Sequence, residues 1–141
     1  MTRIDFYVEA ANPFLVVQKL AQKSYQGKHS VWVRASSLEE AQRLDDYLWA
    51  EPNTGFLPHC LCTAKIATHT PILIAWENNP PATDAIGLNL SAELDPYFSR
   101  FERYLEIISI NPAAIQAARL RYRHYQQRGY PLHTHHLAPK N

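Results

Sequence analysis

Arg119 and Arg123 stand four residues apart, with Tyr122 between them. On a helix, that spacing puts both guanidinium groups on one side, one turn apart. An arginine pair beside an aromatic ring suits a carboxylate carried next to a bulky apolar group. The guanidinium offers paired donors, and the ring offers an apolar wall. Ile115 and Ala118 would then face the core while the two arginines fork outward. The competing reading is that cations near a helix C-terminus favour the macrodipole and need no ligand.

Other clusters carry weaker chemistry. His59-Cys60-Leu61-Cys62, with His69 nearby, joins thiolate to imidazole, the ligand types of zinc. C-x-C is not the usual C-x₂-C spacing, and no second ligand pair follows, so two small buried cysteines beside a strand are expected and no metal is assigned. His133, His135 and His136 fall in a terminal tract read as a solvated tail. Asp45 and Asp46 could do acid–base work only in a cleft, and they read as part of a solvated helix face. Trp49 and Phe56 fall at a helix end and in a loop, where aromatic side chains make surface contacts.

The glycines are informative by their scatter. Gly27, Gly55, Gly87 and Gly129 cannot make a G-x-G-x-x-G turn or a P-loop, which need clustered glycines so that backbone N–H groups approach phosphate. No G-x-S-x-G elbow is present. No cofactor is expected.

These residues need a scaffold, and the chain is long enough for one domain. Its 141 residues are 46% apolar and 19% charged, which supports a proper core. Net charge is +1, which argues against a strongly basic nucleic-acid coat. From Pro112 to Asn141, however, the five basic residues Arg119, Arg121, Arg123, Arg128 and Lys140 meet no Asp or Glu. The remaining nine basic residues face all thirteen acidic ones. Such asymmetry points to a basic face for an acidic partner.

Arg3 to Glu9 reads as a first strand. Asn12-Pro13 caps a helix through Phe14, Val17, Leu20 and Ala21, which Gly27 stops. Ser30 to Ala35 makes a second strand. Ser37 and Glu40 form a capping box for a helix with Leu38, Ala41, Leu44 and Leu48 on one stripe and Trp49 at its end. Phe56-Leu57-Pro58 is a short extended piece, and Asn78 to Thr83 is a loop. Ile72 to Trp76 and Ala85 to Leu90 are buried apolar runs, and Arg103 to Ser109 is the expected last strand. Pro112 opens a final helix to about Gln127, ended by Gly129. The pattern predicts a three-layer, Rossmann-like α/β domain with a mostly parallel sheet over residues 1–130, then a His-rich tail over 131–141. The first residues build no apolar leader and no run reaches the length of a membrane span, so a cytoplasmic protein is expected.

Taken in order, several segments resemble one family over essentially the whole chain. They are Phe6-Tyr7, Leu44-Asp45-x-x-Leu48-Trp49, Phe56-Leu57-Pro58-His59, Pro71-Ile72-x-Ile74-Ala75-Trp76, Glu106-Ile107-Ile108 and Ala118-Arg119-x-Arg121-Tyr122-Arg123-x-Tyr125, closing on Gly129-Tyr130. The family is the chi subunit of bacterial DNA polymerase III. The resemblance implies a non-catalytic adaptor that pairs with the psi subunit, which ties it to the clamp loader. It also implies binding of the acidic, phenylalanine-terminated tail of single-stranded-DNA-binding protein, so that contact with DNA is indirect. Carried over, Trp49, Arg119, Tyr122 and Arg123 would form the tail pocket. Arg119 would hold the terminal carboxylate, Arg123 would add charge for the tail's aspartates, and Ile110 would meet its phenyl ring. Phe56 would belong to a surface shared by psi and an alternative helicase partner. Two departures stand out: Ile115 occupies a position that is basic in the family, and the segment from Glu106 to Arg119 is shorter. A nucleotide-hydrolase-like enzyme and a direct single-stranded-DNA binder are the alternatives.

Overall fold

The structure is a computed structural model that describes residues 1–50, 57–80 and 85–137. The chain folds as β1 (Arg3–Ala10), α1 (Pro13–Gln26), β2 (Val31–Arg34), α2 (Leu38–Ala50), β3 (His59–Leu61), β4 (Ile72–Ala75), β5 (Ile86–Asn89), β6 (Arg103–Ser109), α3 (Pro112–Gln127) and β7 (Leu132–His136). Short 3₁₀ turns occupy Ala67–His69 and Phe98–Arg100. The strands form one parallel sheet in the order β3-β4-β2-β5-β6-β1-β7.

The helix starts follow their local chemistry. The Asn12 side chain accepts from the Leu15 N–H at 3.3 Å, with Pro13 in the first turn. At α2 the Glu40 N–H donates to Ser37 Oγ at 3.2 Å, while the Glu40 carboxylate accepts from the Ser36 N–H at 2.8 Å. Asn111 caps α3 through the Ala113 N–H at 2.8 Å, ahead of Pro112. Asn12, Ser37 and Asn111 each satisfy a donor that the first helical turn leaves unpaired. Gly129, at φ +77°, takes the left-handed conformation past the end of α3. Leu38 is exposed, so the buried stripe of α2 is Ala41, Leu44 and Leu48.

Strand alternation divides the core. Val31, Val33, Ile72, Ile74, Ile86, Leu88, Leu105 and Ile107 face α1 and α2. Ile4, Phe6, Trp32, Tyr104 and Ile108 face α3 and the segment bearing Phe98 and Phe101. The result is the expected three-layer α/β arrangement, helices covering both faces of a parallel sheet. No helix among the described residues is long and apolar enough to cross a membrane.

Arg103–Ser109 is not the last strand. Leu132 to His136 adds a further one, parallel to β1 at the sheet edge. The Ile4 N–H donates to Pro131 O, and the Leu137 N–H to Val8 O, each at 2.9 Å. Side chains hold it too. His135 Nε2 lies 3.0 Å from the fully buried Asp5 carboxylate, and its ring stacks on Tyr7 at 4.5 Å. Part of the His-rich tract is therefore structured.

Candidate functional site

The segment of α3 from Ile115 to Tyr122 lies over the β1–β7 edge and forms one wall of a groove of about 420 Å³. Phe6, Val8, Ile108, Ile115 and Ala118 supply its apolar lining, with Tyr122 among them. The Tyr122 ring meets Phe6 edge-on at 5.3 Å, which fixes its half-buried position. Arg119 lies on the same wall and is exposed. Across from α3, the groove is closed by Glu9 of β1 and by Thr134 and His136 of β7. An apolar trough with an exposed guanidinium at its side accommodates an apolar residue that bears a carboxylate.

The sequence-assigned residues do not all converge there. Arg119 and Tyr122 line the groove together with Ile115. Arg123 is exposed one turn further along α3 and does not line it. Ile110 is exposed in the turn between β6 and α3, outside the lining, whereas Ile108 is part of it. Trp49 lies elsewhere. It ends α2, on the opposite face of the sheet, and its ring packs at 4.2 Å on His59 of β3, the strand at the far edge. Phe56 lies outside the described residues.

Arg121 points inward and explains why three arginines crowd one helix. Its Nε donates to Glu106 Oε1 at 3.2 Å and its Nη1 to Ala92 O at 2.6 Å. Glu106 also accepts from Asn89 Nδ2 at 2.9 Å and from the Tyr125 hydroxyl at 2.6 Å. Burial lifts the Glu106 carboxyl above the usual glutamate range, against the pull of Arg121, Tyr125 and Asn89. Burial and the adjacent Glu106 raise the Tyr125 phenol as well. This network anchors α3 to β6. The sequence does hold its signal: Glu106 interrupts an apolar strand and needs a partner, and Ala118, Arg121 and Tyr125 recur at helical spacing.

The remaining clusters have local roles. The His59 ring nitrogens face Leu57 O at 2.6 Å and Asp45 O at 3.2 Å. Asp45 also turns its carboxylate toward His59 at 3.5 Å, so it is not merely part of a solvated face; Asp46 is exposed. Burial raises the Asp45 carboxyl, opposed by the charge of His59. Cys60 is buried and Cys62 half-buried, and burial raises the Cys62 thiol. Among the described residues, no three His, Cys, Asp or Glu side chains are grouped to hold a metal. In folds of this kind ligands bind beyond the carboxyl ends of the strands. Here that crevice is a cavity of about 370 Å³ lined by residues including Asn12, Phe14, Glu40, Leu90, Ile107 and Arg121. Asn12 and Glu40 cap helices there, and Arg121 is committed to Glu106.

Comparison with known proteins bears out the family resemblance. Residues 1–133 match the family described as DNA polymerase III chi subunit, HolC. The chain is 32% identical over 141 residues to the DNA polymerase III subunit chi of Pseudomonas aeruginosa, covering 97% of this chain and 98% of that protein. It is 28% identical over 121 residues to the Escherichia coli K12 subunit chi, covering 85% and 82% respectively. For the Haemophilus influenzae subunit chi the figure is 26% over 140 residues, covering 95% and 96%. With a family match over nearly the whole chain and a parallel α/β fold to carry it, the chain belongs to the DNA polymerase III chi subunit family, an accessory component of the replication machinery.

Proposed function

We propose that this chi-family subunit is a non-catalytic cytoplasmic adaptor that captures the acidic C-terminal tail of single-stranded-DNA-binding protein and joins the clamp loader through psi. The observation that carries this reading is the α3 groove. Arg119 stands beside an apolar lining of Phe6, Val8, Ile108, Ile115 and Tyr122. The terminal phenylalanine enters the lining and its carboxylate meets Arg119. Arg123, one turn further along and outside the lining, adds positive charge for the preceding aspartates, and Ile110 borders the approach from the β6–α3 turn. Trp49, on the other side of the sheet from the groove, serves a second surface, and Phe56 shares its role of meeting psi or a helicase.

The test is a fluorescence-anisotropy titration of an acidic peptide that ends in phenylalanine. Arg119→Ala is expected to weaken binding about tenfold or more, the loss of a charge-assisted hydrogen-bond pair. Amidating the peptide's C-terminus should do the same to the native protein. Unchanged affinity in Arg119→Ala overturns the reading.

A further inference from the structure

The groove has an acidic and a titratable side chain on the wall opposite Arg119. Glu9 reaches this wall through a break in strand alternation. Ile4, Phe6 and Val8 of β1 pack on the α3 side of the sheet, but Ala10 packs on the other side. The β1–β6 register slips between Tyr7 and Ala10, and Glu9 sits there at φ +66°. A bulge of this kind re-aims side chains. Here it brings Glu9 into the groove beside Val8, when plain alternation would turn it to the face of Asp5 and Tyr7. A non-glycine residue at positive φ is strained, and strain held beside a ligand groove is a reason to look for function. From β7, His136 lines the same groove and sets its Nδ1 3.7 Å from Glu9 Oε1.

We propose that Glu9 and His136 form a titratable wall that tunes this groove's affinity for an acidic, carboxylate-terminated peptide; the inference rests on the tail-binding reading above. The charged groups lining the groove are Arg119 from α3, Glu9 from β1 and His136 from β7, with Tyr122 the other titratable group. With His136 neutral, Arg119 and Glu9 cancel, and an incoming carboxylate meets no net attraction from the walls. With His136 protonated, the walls carry one net positive charge. Histidine side chains cross between these states around pH 5 to 8. His135, one residue earlier, is turned to Asp5 and Tyr7 and serves to hold the strand. Ile115 leaves the α3 wall less basic, and His136 supplies a conditional charge from the facing strand.

The experiment titrates the same acidic, phenylalanine-terminated peptide between pH 6 and 8 against native protein, His136→Gln, Glu9→Gln and Arg119→Ala. Native protein is expected to bind about two- to fivefold more tightly at pH 6 than at pH 8, the scale of one exposed charge pair. His136→Gln is expected to flatten that dependence. Glu9→Gln should bind more tightly than native protein throughout and keep the slope. A slope that survives in His136→Gln, with Arg119→Ala still impaired, overturns the titratable wall alone. Failure of native protein to bind the peptide at any pH overturns the tail-binding reading and this inference together.

Discussion

Arg121 Nε lies 3.2 Å from Glu106 Oε1, and both side chains are closed to solvent. Arg119 and Arg123, two residues to either side of Arg121, are exposed. One helix therefore uses chemically identical side chains for two purposes, anchoring α3 to β6 and presenting charge to the outside.

That division predicts opposite costs. Arg121→Met leaves the Glu106 carboxylate buried without its counter-charge, and such losses run to about 3–5 kcal/mol. Arg119→Ala removes an exposed side chain and should change stability by roughly 0.5 kcal/mol or less. Urea unfolding of the two variants measures both. Similar losses for the two would refute the division of labour along α3.

The anchor of β7 is expected to depend on pH in a definite direction. Burial raises the Asp5 carboxyl, but the donors His135, Arg103 and Arg3 outweigh it and hold it below the usual aspartate range. A carboxylate whose pKa is depressed on folding stabilises the fold above its unfolded value, and that contribution is lost as pH falls through the folded value. Asp5→Asn should therefore be less stable than native protein at pH 7, by about 1–3 kcal/mol. The gap should begin to close below about pH 4, the value of an unperturbed aspartate, and keep shrinking as pH falls further. Denaturant midpoints measured from pH 7 to pH 3 test this, and a gap that widens on acidification contradicts it.

Much of this fold is legible in the chain, because its elements follow local rules. Asn12-Pro13 and Ser37-x-x-Glu40 mark helix starts, and Ile72-Leu73-Ile74-Ala75 has the continuous apolar character of a strand buried on both faces. β7 escapes those rules. Leu132-His-Thr-His-His136 has little apolar content, and it is a strand because β1 offers an open edge and Asp5 and Tyr7 receive His135. The groove is half legible for the same reason. Arg119 and Tyr122 follow from helical spacing, while Glu9, Thr134 and His136 arrive through a bulge and a long-range strand pairing that no local pattern encodes. The resemblance groups Trp49 with Arg119, Tyr122 and Arg123, and the sheet separates it from them.

Gly87 shows a position where only the absent side chain fits. It lies on β5 against Tyr104, and an added Cβ would stand 2.5 Å from Tyr104 Cδ1 and 3.1 Å from Phe101 Cδ2. Tyr104 is fully buried and its hydroxyl donates to Asp95 at 2.7 Å, so the ring cannot retreat without losing that bond. Gly87→Ala is expected to cost about 1–3 kcal/mol through overpacking, read as a lower midpoint in thermal or urea unfolding. A neutral or stabilising result would mean that the Tyr104 and Phe101 rings have room to shift.

Trp49 offers the sharpest check on how the two surfaces divide. It is 54% exposed and its ring packs on His59, on the α2 side of the sheet near β3. The α3 groove lies on the other face beside β1 and β7. Substitutions that far apart, with no shared partner, act independently. Trp49→Ala should therefore bind the acidic, phenylalanine-terminated peptide within about twofold of native protein, and combining it with Arg119→Ala should add nothing to the loss from Arg119→Ala alone. A tenfold loss in Trp49→Ala would place the tail on both faces at once, which the peptide could do only by wrapping the sheet edge. Lengthening the peptide by several residues at its N-terminal end tests that route, since only a wrapping mode gains affinity from the added length.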